Sequence, residues 1–155
     1  MRNIAFYRAG WRHGHVRTQR QFWLGANGAF LDAAVLEWCK AFAEWDGKHH
    51  WRRVISDREV FSRGLFDAVA MSAHEFHEYI KATRSYRDKF VAHLDEELVM
   101  YIPRMRVARN SAAYLFNYLR RHPKLAQYLV GAPTSAAEFY GFMYRHASLE
   151  YARAT

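Results

Sequence analysis

The chain has a single cysteine, Cys39, so no disulfide can form within it. Cys39 stands between Trp38 and Lys40 in a helical pattern, where a small buried side chain fits better than a nucleophile. No run of about eighteen uncharged apolar residues occurs, which removes a membrane-spanning helix from consideration. A charged-then-apolar leader with a small-residue cleavage site is also missing, and the expectation is a cytoplasmic protein. Acidic residues are absent before Asp32, whereas Arg2, Arg8, Arg12, Arg17 and Arg20 all fall in that stretch. Serine is absent from the same arm, which argues against an organelle transit peptide. Clean two-residue alternation over strand length is missing too, which leaves helices as the material of the fold.

Helix signals recur throughout. From Arg17 to Trp45 the breakers are few apart from Gly25 and Gly28, and Phe22, Ala26, Ala29, Phe30, Ala33, Val35 and Leu36 return at spacings of three and four. Three later segments read as capping boxes: Ser56-Asp57-Arg58-Glu59, Ser72-Ala73-His74-Glu75 and Ser135-Ala136-Ala137-Glu138. In each, serine and glutamate satisfy free N–H groups at a helix start. Pro103 marks a fourth start, followed by Val107, Ala108, Ser111, Leu115, Tyr118 and Leu119 up to the break at Pro123. The expected fold is an all-α bundle of about five helices, one domain over residues 1–155 with a basic arm at about 1–20. Its 155 residues, 51% hydrophobic and 17% aromatic, suffice for one core. The segment from Asp46 to Ile55 reads as an ordered loop.

The formal charge is +8. In the basic arm Arg8, Arg12, Arg17 and Arg20 interleave with Phe6, Tyr7, Trp11 and Trp23, a mixture that pairs guanidinium groups with phosphates and stacks bases on rings. The bland alternative is a solvated, solubilising face.

The stretch YRDKFVAHLD, Tyr86 to Asp95, sets polar groups into an apolar helical stripe. At about one hundred degrees per residue, Phe76, Tyr79, Ile80, Thr83, Tyr86 and Leu94 share a face with Phe90. Arg87 and His93 land within that face, one to each side of Phe90, while Asp88, Ala92 and Asp95 project away. The two are separated by about 9 Å of helix rise, so a shared cleft would need a second copy of the helix across a two-fold axis.

Arg87-Asp88-Lys89-Phe90-Val91-Ala92-His93, ending in Asp95, resembles the motif of HEPN-domain proteins, in the branch containing abortive-infection-type members. Leu36-Glu37-Trp38-Cys39-Lys40 and His50-Trp51-Arg52-Arg53 are similar to uncharacterised bacterial members of that branch. The resemblance implies an all-α homodimer whose two motifs face one cleft and, in active members, a metal-independent endoribonuclease with no cofactor. Arg87 would then hold the phosphodiester and His93 exchange a proton with the 2′-hydroxyl or leaving oxygen, with Asp88 orienting one of them. Lys89 is a phosphate contact in that scheme, or a solvated lysine. RNA is the implied substrate, in phage defence or a toxin and antitoxin pair.

Other readings stand beside it. Arg87 can pair structurally with a carboxylate on another helix, and His93 can cap carbonyls near a helix end. His74-Glu75-Phe76-His77-Glu78 fails as a zinc-protease helix because its histidines are three apart rather than four. Tyr114, Tyr118 and Phe142 read as core or dimer surface. A non-catalytic helical module that binds a protein or a nucleic acid is the alternative function.

Overall fold

Backbone demand at helix ends decides where the elements begin. The computed structural model describes residues 1–92 and 101–154. Among them are seven α-helices: α1 Arg2–Ala9, α2 Gln21–Phe42, α3 Arg58–Val69, α4 Ala73–Tyr86, α5 Met105–Arg121, α6 Pro123–Ala126 and α7 Ala136–Arg153. One antiparallel hairpin, β1 Trp11–Arg12 and β2 His15–Val16, follows α1. The all-α expectation is met. Beyond the five helices expected from pattern, the structure adds α1, hidden in the sequence by its flanking arginines, and the single turn α6, opened by Pro123.

The caps reproduce the sequence signals with shifts. At α4, Ser72 accepts from the Glu75 N–H at 3.2 Å and Glu75 accepts from the Ser72 N–H at 2.7 Å, a complete capping box. The α3 cap is Asp57 rather than Ser56, accepting from the Val60 N–H at 3.1 Å. At α7 Ser135 accepts from the Glu138 N–H, but the Glu138 carboxylate turns to the N–H and hydroxyl of Thr134. Helix α5 starts at Met105, two residues after Pro103. Residues 46–55 carry no α-helix and contain a 3-10 turn at Trp51–Arg53. The hairpin turns on His13 and Gly14 with φ of 50° and 82°, the pair of left-handed residues that a two-residue turn of matching twist requires.

Two compact units divide the chain, Met1–Ala34 with Leu119–Thr155, and Val35–Tyr118. In the first, α1 packs along α7, and Ala9, Ala147 and Tyr151 form a small core covered by Phe6 and Trp23. Asn27 supplies its polar centre. Its amide donates to the Tyr7 carbonyl and to the Tyr151 hydroxyl, both at 2.9 Å, and accepts from the Trp11 indole at 3.1 Å.

In the second unit Trp38 is the hub. It stacks on Phe42 with centroids 5.1 Å apart, meets Tyr79 edge-on at 5.2 Å, and donates its indole N–H to Ser111 at 2.8 Å. Phe61 joins Trp51, Tyr114 and Tyr118 in an adjoining aromatic group. The inward stripe of α2 runs Asn27, Leu31, Ala34, Val35, Trp38, Cys39 and Phe42. That is a correction of the expected stripe: Phe22 is 76% exposed and Leu36 lies at the surface.

Candidate functional site

Helix α4 keeps its α-helical register to Tyr86, and Arg87–Ala92 continues as a π-helical turn. Such turns widen the backbone and often mark functional positions. As the spacing predicts, Phe76, Tyr79, Ile80, Thr83 and Tyr86 are buried on one face of α4. Arg87 leaves that face with 16% of its side chain exposed. Its Nε donates to Asp88 Oδ1 at 2.8 Å, its Nη2 forms an ion-pair contact with the same oxygen at 2.8 Å, and its Nη1 donates to Glu44 Oε1 at 2.9 Å.

Burial alone would lower the guanidinium pKa. The Asp88 hydrogen bond and the neighbouring Cys39, Asp88 and Glu44 groups outweigh burial and raise it. One guanidinium between two carboxylates leaves the cluster with one net negative charge. Cys39 lies nearby with its thiol pushed up to about 11, chiefly by burial, so it is an inert core group at neutral pH. Lys89 is half-buried. His93 lies outside the described residues.

The arginines of the basic arm divide. Arg8 on α1, Arg12 on β1 and Arg20 before α2 are exposed. Arg17 is a clip, its Nη1 reaching the carbonyls of Ala9 at 3.3 Å and Ser148 at 3.5 Å. Arg17 and Arg20 nevertheless share an open surface depression with Thr18, Gln19 and Ala154. The expected stacking rings face inward: Tyr7 is buried, Trp23 packs on Tyr151 at 5.1 Å, and Phe6 meets Phe30 at 5.1 Å. The ring that is open to solvent beside Arg20 is Phe22. The apolar spacing that includes Phe22 is not the inward face of α2, because the polar Asn27 conceals the true phase of the stripe.

Charge is distributed as unevenly as side chains are. The unit built from Met1–Ala34 and Leu119–Thr155 holds ten Lys and Arg against three Asp and Glu, whereas Val35–Tyr118 holds thirteen against twelve.

His50 is a polar group that the loop buries. Its Nε2 lies 3.2 Å from the Phe42 carbonyl, which makes it the donor, and its Nδ1 accepts from the Arg52 N–H at 3.3 Å. Both contacts suit a neutral ring. Burial lowers its pKa from 6.5, with Arg52, Arg53 and Arg58 pushing the same way against the Phe42 hydrogen bond. A depressed folded pKa means the unfolded chain binds the proton first, so this contribution is complete above pH 6.5 and declines as pH falls through the folded value. Urea midpoints measured from pH 7.5 down to about 5 are expected to fall in the wild type and to fall less in His50→Gln.

Among the described residues, no helix is long and apolar enough to cross a membrane, and no three His, Cys, Asp or Glu side chains converge as metal ligands. No protein-family model, curated protein or solved structure matches the chain.

Proposed function

We propose that this protein binds RNA through its basic unit, as a HEPN-like protein in which Arg87, Asp88 and His93 form the centre for RNA cleavage. The observation that carries the binding is the charge partition: almost all of the net positive charge belongs to the unit that exposes Arg8, Arg12, Arg20 and Phe22. Exposed guanidinium groups supply phosphate contacts, and an exposed ring supplies a stacking surface. A homodimer belongs to the same reading. Phe142 and Leu149, seven residues apart on α7, are exposed apolar groups suited to a second copy or to an antitoxin.

In cleavage Arg87 holds the phosphate, Asp88 positions Arg87 through a hydrogen bond and an ion pair, and His93 moves the proton. The Glu44 pairing favours a second reading, a non-catalytic RNA-binding or protein-binding module, because a net negative cluster repels a phosphodiester until Glu44 yields.

The test uses a fluorescent single-stranded RNA. Binding is expected to weaken linearly with log salt, and the triple variant Arg8→Ala, Arg12→Ala, Arg20→Ala to reduce that slope by about two. Phe22→Ala is expected to lower affinity about tenfold. Affinity insensitive to salt, or unchanged in the triple variant, rejects RNA binding. For cleavage, RNA in EDTA is expected to yield 2′,3′-cyclic phosphate ends, faster in Glu44→Gln and not at all in a folded His93→Ala. Binding without any cutting selects the non-catalytic reading.

A further inference from the structure

A second feature, within Val35–Tyr118, answers to a different chemistry. A cavity of about 220 Å³ opens there between α3, α4 and the loop after α2. Its walls are mostly hydrocarbon and rings: Phe42, Leu65, Phe66, Phe76 and Ile80. Trp45, Trp51 and Arg52 line it from the loop, and Ser62 and His77 add polar groups from α3 and α4. The Arg52 guanidinium carbon lies over the Trp45 ring, 3.7 Å from its centroid, and 5.2 Å from that of Trp51, a cation–π placement that holds the cation in position.

Arg52 has no anion of its own. Among the described residues its side chain meets no carboxylate and donates no hydrogen bond, and its buried Nε has no partner. Its pKa is lowered by burial and by the like charge of Arg58. His50, on the same wall, is held neutral by its two hydrogen bonds and offers no counter-charge. A cation held over an indole at the edge of an aromatic cavity, with a buried donor unpaired among the described residues, is chemically suited to an anionic ligand.

We propose that this cavity binds a small aromatic carboxylate. The carboxylate pairs with the free edge of the Arg52 guanidinium, and the flat apolar body enters among Phe42, Phe66 and Phe76. Three observations select this class. The volume lies below the usual range for drug-sized ligands, so the body is one or two fused rings. The walls are rich in rings, which favours edge-to-face and offset contacts with another ring over a flexible chain. The planar guanidinium, held over Trp45, carries parallel N–H groups of the kind that match the two oxygens of a carboxylate.

Isothermal calorimetry of the full chain with 2-naphthoate is expected to give saturable one-site binding with Kd on the order of 100 µM. Naphthalene-2-carboxamide, the same body without charge, is expected to bind about tenfold more weakly or worse. Arg52→Gln, which removes the charge and keeps a polar side chain, is expected to remove the preference for naphthoate over the carboxamide, and Arg52→Lys to restore part of it. Circular dichroism establishes that both variants are folded. No saturable heat below about 5 mM overturns the proposal. So does equal affinity for acid and amide, unchanged naphthoate binding in folded Arg52→Gln, or preference for adenosine monophosphate, which would assign the cavity to a nucleobase.

Discussion

Replacing Trp38 with alanine is expected to lower the unfolding free energy by about 4 kcal/mol, the upper part of the range for truncating a buried aromatic residue. Trp38 is 3% exposed and touches every aromatic wall of its neighbourhood, stacked on Phe42 and edge-on to Phe76 and Tyr79. Removing it opens a cavity that these rigid rings cannot collapse to fill. The indole also donates to Ser111, whose hydroxyl lies 2.8 Å from the Val107 carbonyl and 3.1 Å from the Ala108 carbonyl. Ser111 is fully buried, and its single hydrogen can serve only one of those carbonyls at a time. Urea denaturation followed by circular dichroism measures the loss. Trp38→Phe is expected to cost about half as much, since it retains a ring. Ser111→Ala is expected to cost about 1–3 kcal/mol by stranding the indole N–H. A Trp38→Ala variant within about 1 kcal/mol of wild type would show that this ring is not the hub of the Val35–Tyr118 unit.

Asn27→Asp is expected to be the second most damaging change, costing about 3 kcal/mol at neutral pH although the two side chains have the same shape. The Asn27 amide nitrogen lies 2.9 Å from the Tyr7 carbonyl oxygen, and a carboxylate would set oxygen against oxygen there. Asn27 is 5% exposed, so the new charge is poorly solvated and no cation pairs with the amide in the structure. The Tyr151 hydroxyl can rotate to donate, and Trp11 continues to donate, but the Tyr7 carbonyl loses its partner. Gly10 has no Cβ for a reason tied to this network: a Cβ there would lie 2.2 Å from Asn27 Nδ2. Desolvation raises the pKa of the introduced carboxyl, so the penalty should shrink as pH falls below its folded value and the protonated acid donates again. Thermal unfolding at pH 7.5 and at about pH 4.5, compared with wild type at each pH, checks the sign. A penalty that grew on acidification would exclude this account.

The local devices of the fold were legible in the sequence. The Ser72 capping box, the buried face from Phe76 to Tyr86 and the buried Cys39 each depend on residues within a turn or two of one another. Spacing and side-chain chemistry are sufficient to read them. Arg87 was legible as a polar group interrupting an apolar stripe, and Asp88 as a neighbour projecting away from it. The phase of α2 was not, because its stripe begins with Asn27, whose polarity is tolerated only where a carbonyl, a hydroxyl and an indole from three other segments converge on it. The same limit applied to the rings. Trp23 and Phe22 are neighbours in sequence, and only the arrival of Tyr151 decides which one is covered.

By itself, then, the sequence determined that the protein is helical, where most helices start, and that its amino-terminal arm is basic. These follow from backbone hydrogen bonding and composition, which act over short range or need no geometry. Tertiary structure decided that Arg87 meets Glu44, a residue 43 positions away, and that Arg52 lies on Trp45 without an anion. The physical reason is that a charge acquires its partner, and a ring its cover, from whatever the folded chain brings within about 4 Å, and sequence spacing carries no record of that distance.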